Sequence, residues 1–193
     1  MGSWQITWPI RYAGCSWSKL KTTNKDLSFG IAFGSNIGNR LENLSKAKEL
    51  LLAKSSNPSS CIFSSIYESA PVNCSEPCGP FLNATAEMHF DISPERLLYI
   101  CLDIESNFGR PKIRKKNEPR IIDLDILYAG DLILKTNHLK IPHPEILNRR
   151  FVLEPLAEIR PNFILPNQVK SIMEHLSSLK STEPPLKLLQ SNW

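Results

Sequence analysis

From Leu27 the chain is mostly apolar through LSFGIAFGSN and then turns on Gly-Ser-Asn, which predicts a strand that ends near Asn36. Asn39 with Glu42 three residues later forms a capping pair, and Ile37, Leu41, Leu44 and Leu51 repeat at helical spacing. A helix that buries that face is expected next. Cys61 to Tyr67 reads as a strand, and the prolines and glycine of ESAPVNCSEPCGP make a long surface loop. In FLNATAEMHF, Leu82, Ala84, Ala86, Met88 and Phe90 alternate with Phe81, Asn83, Thr85, Glu87 and His89. That is a two-sided strand with Asn83 on its more polar side.

Ser93 followed by Pro94 opens a second helix, whose stripe Leu97, Cys101, Ile104, Phe108 stops at Gly109. After the basic run RPKIRKKNEPR comes the strand IIDLDILY, then a Gly130-Asp131 turn into LILK that reads as a hairpin. IPHPEILNRRF is a proline-punctuated connection. Val169, Ile172, Leu176 and Leu179 suggest a last amphipathic helix before a break at Pro184-Pro185. The order strand, helix, strand, strand, helix, strand predicts an α+β fold, a ferredoxin-like sandwich with helices packed on a mainly antiparallel sheet. One domain is expected over residues 27–180, with a disordered leader over 1–26 and a loosely ordered tail over 181–193.

Composition narrows the class. The 193 residues are 41% hydrophobic and 22% charged, and they contain no membrane-length apolar run. A formal charge of +4 is too mild to argue for nucleic acid. The cysteines Cys15, Cys61, Cys74, Cys78 and Cys101 are odd in number and lack zinc spacing, which fits reduced thiols and a cytoplasmic protein. Residues 1–25 have no acidic residue but a single arginine, Arg11, and no clear amphipathic helix, so a disordered segment is read in preference to a transit peptide.

The chemistry is in the aspartate strand. Side chains two apart share a side, so Asp123 and Asp125 face the same way with Ile121 and Leu127, opposite Ile122, Leu124, Ile126 and Tyr128. Their Cα atoms should lie about 7 Å apart. Two carboxylates held that close among aliphatic neighbours repel unless a cation joins them, and hard oxygen ligands suit Mg²⁺ with substrate phosphates. Arg110, Lys112, Arg114, Lys115, Lys116 and Arg120 all precede them in one segment, too many to be partners for two acids. Three readings stay open on charge alone: a polyphosphate site, a solvated loop and a nucleic-acid patch. His143 between prolines, the Arg149-Arg150 pair and the Gly34-Ser35-Asn36 turn are each weak alone.

Taken in order, FGSN, YESAPV, PFLNA, IESNFGR, PRIIDLDIL and IPHPEILNRRFVLEPLAEI resemble the 6-hydroxymethyl-7,8-dihydropterin pyrophosphokinases of folate biosynthesis, over about Leu27 to Met173. The resemblance implies transfer of the terminal two phosphates of ATP to the pterin hydroxymethyl group, with two Mg²⁺ ions held by Asp123 and Asp125. It assigns Arg110 and Arg120 to the phosphates, and Glu105, Lys112, Ile126, His143 and Arg149 with them to ATP. Phe81 and Phe151 would stack on the pterin, Asn83 would read its edge, and Ser69, Ala70, Pro71 and Val72 would complete the rim. The expected partners are these small molecules, with no nucleic acid or membrane and a functional link to a dihydropteroate synthase, for which this chain is too short to hold the domain as well.

The chain departs from the family pattern at Lys116-Asn117-Glu118-Pro119-Arg120, where Arg-Trp-Gly-Pro-Arg is frequent, at Lys112 in place of an arginine, and at Pro144. A lysine keeps charge but loses the bidentate fork. The rival readings are another Mg²⁺-dependent nucleotide-using transferase and a non-enzymatic ferredoxin-like phosphate- or RNA-binding module.

Overall fold

The computed structural model describes residues 26–71, 79–109, 119–181 and 183–193. Residues 1–25 of the predicted leader, Val72, Cys74, Cys78, Arg110, Lys112 and the Asn117-Glu118 pair lie outside them.

Strand β1 (Leu27–Ser35) is followed by helix α1 (Arg40–Leu52), whose start is held by Asn39: its side chain accepts from the Glu42 amide and donates to the Glu42 carboxylate. Leu44, Ala47 and Leu51 are the buried face of α1, while Ile37, expected with them, lies in the preceding turn and is exposed. The second predicted strand is split into β2 (Ile62–Phe63) and β3 (Ile66–Ser69). Between them the Ser64 amide donates to Thr85 O and the Ser64 hydroxyl accepts from the Thr85 amide, so a side chain replaces one rung of the ladder. β4 (Phe81–Phe90) and α2 (Pro94–Asn107), capped by Ser93, match the expectation, and Gly109 ends α2 with φ +87°.

β5 (Asp123–Ala129) completes a wholly antiparallel sheet in the order β5-β1-β4-β3, the ferredoxin-like arrangement, with β2 also on β4. Among the described residues no later strand pairs with β5. β6 (Leu134–Lys135) pairs only with β7 (Lys140–Ile141). The outer edge of β5 is already occupied: the Leu124 amide donates to the Glu105 carboxylate at 2.8 Å, and Leu127 O accepts from the His143 amide at 2.8 Å.

α1 and α2 close one face of the sheet over a core that includes Phe29, Ile31, Phe33, Met88 and Leu124. The other face is partly covered by α3 (Arg150–Ile159) and α4 (Ile172–Ser178), packed on Leu127 and Tyr128. α4 is shorter than its pattern suggests, and Val169 is exposed ahead of it. The tail, expected to be loose, carries β8 (Lys187–Gln190) on the edge of β3. Beyond it Trp193 packs edge-on against Phe33 and Phe63 and donates its indole N–H to Ser64 O at 2.8 Å. Among the described residues no helix is long and apolar enough to cross a membrane.

Candidate active site

Cross-strand partners in an antiparallel sheet point their side chains to the same face. In β1, Gly34 faces Asp123 of β5 on one side and Asn83 of β4 on the other, and Asn83 in turn faces Tyr67 of β3. One residue pair along, Ala32 lies between Asp125 and Thr85. Asp123 and Asp125 therefore share a side, as predicted, on the face away from α1 and α2. The strict alternation fails only beyond them. The register between β1 and β5 shifts at Gly30/Ile31, and this bulge puts Leu127 and Tyr128 both on the α3 side. Tyr128, expected with the aliphatic face, instead donates its hydroxyl to Glu87 at 2.8 Å beneath α3.

The entry to β5 is clasped by the turn after β1. The Arg120 amide donates to the Asn36 side chain at 2.6 Å, and the Asn36 amide donates back to Arg120 O at 3.0 Å. Ser35 and Asn43 both donate to Ile121 O. The Gly-Ser-Asn turn is thus a fastening for the segment that delivers Arg120 and the aspartates. The Arg120 guanidinium pairs with Asp123.

Burial pushes the Asp125 carboxyl above the usual carboxylate range. Neighbouring Asp123 adds to this, and His143, Arg149 and Arg120 pull it back. Burial lowers the His143 imidazole below its ordinary value, with Asp125 opposing and Arg149 reinforcing the shift. His143 Nδ1 accepts from the Glu145 amide at 3.2 Å, so its neutral ring carries the proton on Nε2. Two carboxylates that share one side of the strand, one of them buried, offer hard oxygen donors that suit a divalent cation such as Mg²⁺. Among the described residues no cluster of three His, Cys, Asp or Glu side chains forms, so the remaining ligands would come from substrate oxygens and water.

At the other end of the first row, Asn83 is buried and donates its amide N–H to the Ser69 hydroxyl at 2.8 Å, which turns its carbonyl oxygen toward Gly34. Phe81, two residues earlier on the same face, and Phe151, in the first turn of α3, are both partly exposed. The Arg149 guanidinium lies 5.7 Å from the Phe151 ring centroid. Ala70 and Pro71 are exposed at the rim just beyond β3.

Two of the residues expected to contact ATP have buried side chains. The Ile126 side chain is buried in the core under α2, on the opposite face from Asp125, so only its main chain at the edge of β5 is offered to a ligand. Glu105, 3% exposed, holds the Leu124 amide rather than standing open in a pocket. Linear reading also missed Tyr67, whose hydroxyl donates at 3.0 Å to Glu158, a carboxylate that accepts as well from the Ser65 amide and hydroxyl. Glu158, on α3, and Glu87, on β4, each meet partners from far along the chain, and no local pattern signals them.

The sequence model of the 7,8-dihydro-6-hydroxymethylpterin-pyrophosphokinase family matches residues 30–161. A 2-amino-4-hydroxy-6-hydroxymethyldihydropteridine pyrophosphokinase of Synechocystis is 37% identical over 153 residues, covering 79% of this chain and 76% of its own. A folic acid synthesis protein of Dictyostelium discoideum is 36% identical over 164 residues, covering 80% of this chain but 24% of its own length. The chain therefore spans about three quarters of the first relative and a quarter of the second. The crystal structure of a Plasmodium falciparum HPPK-DHPS with pteroate superposes with a TM-score of 0.60 at 16% identity, over 80% of this chain and 43% of that one, a likeness of fold. By the family match over more than half its length, and by its Synechocystis relative, the chain belongs to the 7,8-dihydro-6-hydroxymethylpterin-pyrophosphokinase family.

Proposed function

We propose that this chain transfers pyrophosphate from ATP to 6-hydroxymethyl-7,8-dihydropterin, giving AMP and the pterin diphosphate in folate biosynthesis. The observation that carries the reading is the row Asp123, Gly34, Asn83: a carboxylate that can hold metal and phosphate at one end, and an oriented amide at the other. A flat heterocycle rich in hydrogen-bonding groups suits such an amide, with Phe81 and Phe151 as the aromatic surfaces beside it. Ser69, which fixes the amide, and Ala70 and Pro71 at the rim complete that end, and Val72 is assigned to the same role by the family resemblance alone.

The pterin hydroxyl oxygen attacks the β-phosphorus of ATP and loses its proton, the bond from that phosphorus to the α,β-bridging oxygen breaks, and AMP departs. Two Mg²⁺ ions held by Asp123 and Asp125 would neutralise the triphosphate. Arg120, tied to Asp123 and fastened by Asn36, supplies fixed positive charge beside the phosphates. His143 and Arg149, next to Asp125, serve the nucleotide, as do Arg110 and Lys112. Ile126 offers its main chain. Glu105 acts by holding the edge of β5 in register.

Relatives named HPPK-DHPS join such a domain to a second one. A dihydropteroate synthase is the enzyme class that would consume the pterin diphosphate, and we assign this chain a functional link to one. The test is incubation with ATP, Mg²⁺ and hydroxymethyl-dihydropterin. AMP that appears only with pterin is the expected result; ADP, or no turnover, overturns the reading.

A further inference from the structure

Two glycines of β1 point to the site side of the sheet, and the fold explains only one of them. At Gly30 an added Cβ would lie 2.1 Å from Cε1 and 2.5 Å from Cδ1 of Tyr128, whose ring is pressed onto the backbone and held there by Glu87. No side chain fits. At Gly34 an added Cβ would lie 3.7 Å from Asp123 Cβ and 3.9 Å from Asn83 Oδ1, both ordinary contacts. Its φ is not in the left-handed region, where Gly38, Gly109 and Gly130 are found. Glycine is the least favourable choice inside a strand unless something must approach its backbone closely. Ala32, one residue pair along on the same face, carries its methyl against the cluster under α3. Gly34 is partly exposed.

The register says what approaches. Asp123 and Asn83 flank Gly34 on neighbouring strands, so their backbones are two strand spacings apart, about 10 Å. A molecule read by Asn83 and phosphorylated beside Asp123 must cross Gly34. We propose that Gly34 is a specificity-determining position: the carbon that links the pterin ring to its reactive oxygen rests on the bare backbone there, and a methyl group at Gly34 would lift that oxygen away from the phosphates. The inference rests on the pyrophosphokinase reading and adds to it a steric limit on the substrate arm.

The test is Gly34→Ala beside the unaltered chain, with three measurements. These are the thermal midpoint, the affinity for a non-hydrolysable ATP analogue with Mg²⁺ alone, and the affinity for pterin in the presence of both. The expected result is a midpoint raised or within about two degrees of the parent. Analogue affinity should change less than about twofold while pterin affinity falls about tenfold or more. Pterin affinity like the parent's overturns the inference. An equal loss of nucleotide and pterin affinity overturns it too, since the floor would then underlie both. A large fall in the midpoint does the same, because the glycine would then serve the fold. If the unaltered chain forms no AMP with pterin, it is the pyrophosphokinase reading that fails, and the assignment of Gly34 falls with it.

Discussion

The two faces of the sheet are built on opposite principles. Under α1 and α2 every large side chain from β1, β4 and β5 is apolar and nearly all are fully buried, so contact and exclusion of water do the stabilising. Under and beside α3 the same strands present Asn83, Thr85, Glu87, Asp123 and Asp125, with two glycines and an alanine from β1 between them. The first face specifies the fold by the volume and fit of apolar side chains, with no polar partner required at any place. The second holds charges at positions the fold would not choose for stability, and each needs a named partner. Substitutions on the first face should therefore move stability and leave turnover per folded molecule alone, and on the site part of the second the reverse should hold.

The largest effect, and the sharpest break of that contrast if it fails, is at Asp125. Asp125→Ala should lower kcat by about a thousand-fold or more, because it removes a metal-holding carboxylate. Stability of the metal-free protein should not fall. Since the folded carboxyl is shifted upward, the metal-free protein loses stability as pH rises from the ordinary value through the folded one, so at neutral pH the ionised group is a burden. Urea unfolding with chelator checks this, and loss of the cooperative transition in the variant would make Asp125 structural. The counterpart is Leu44→Ala, at a fully buried position on the inner side of α1: about 3 kcal/mol less stable by urea unfolding, with kcat/KM unchanged for the folded fraction. A loss of turnover there, without unfolding, would show that the two faces are coupled.

A smaller effect is expected where the second face is structural. Glu87 is 2% exposed and takes hydrogen bonds from the Arg160 guanidinium and from Tyr128. Arg160→Ala would leave that carboxylate buried with Tyr128 alone, and a loss of about 2 kcal/mol is expected, moderated by the partial exposure of Arg160. Combining it with Glu87→Gln should recover part of the loss. If the single substitution is neutral, the pair is ornamental and α3 is held by its apolar contacts.

How far this was legible from the chain follows from the range of the cause. The Asp123/Asp125 side and the Asn83 side come from the two-residue strand period, which is local, and both are found as expected. Tyr128 escapes because a bulge inserts one residue into that period, and bulges are fixed by the partner strand. The hairpin expected after Gly130 does not form, since the edge it needed is taken by Glu105 from α2 and by the His143 backbone. The turn at Ser35-Asn36 stands out by its residue types, but its partner is Arg120, 84 positions away. α3 is masked by Pro155 in its middle, and β8 exists because β3 offers an edge. Apart from α3, hidden by its own proline, each miss has a partner distant in sequence.

The smallest effect tests whether the polar row extends as far as β3. Tyr67 shares its row with Asn83, and burial, followed by its bond to Glu158, pushes its phenol up from 10.0 to about 12. A group whose folded value is raised contributes stability that is complete below the unfolded value and is lost as pH climbs through the folded one. The parent should therefore lose stability between about pH 10 and about pH 12 more steeply than Tyr67→Phe. At neutral pH the variant should be weaker by about 1 kcal/mol, the worth of one hydrogen bond, because Glu158 keeps both bonds from Ser65. Urea unfolding of the two proteins across that range measures the difference of slopes. Parallel profiles would mean that Tyr67 is solvated and ionises freely. The Glu158 clamp would then end at Ser65, and the row that begins at Asp123 would stop at Asn83.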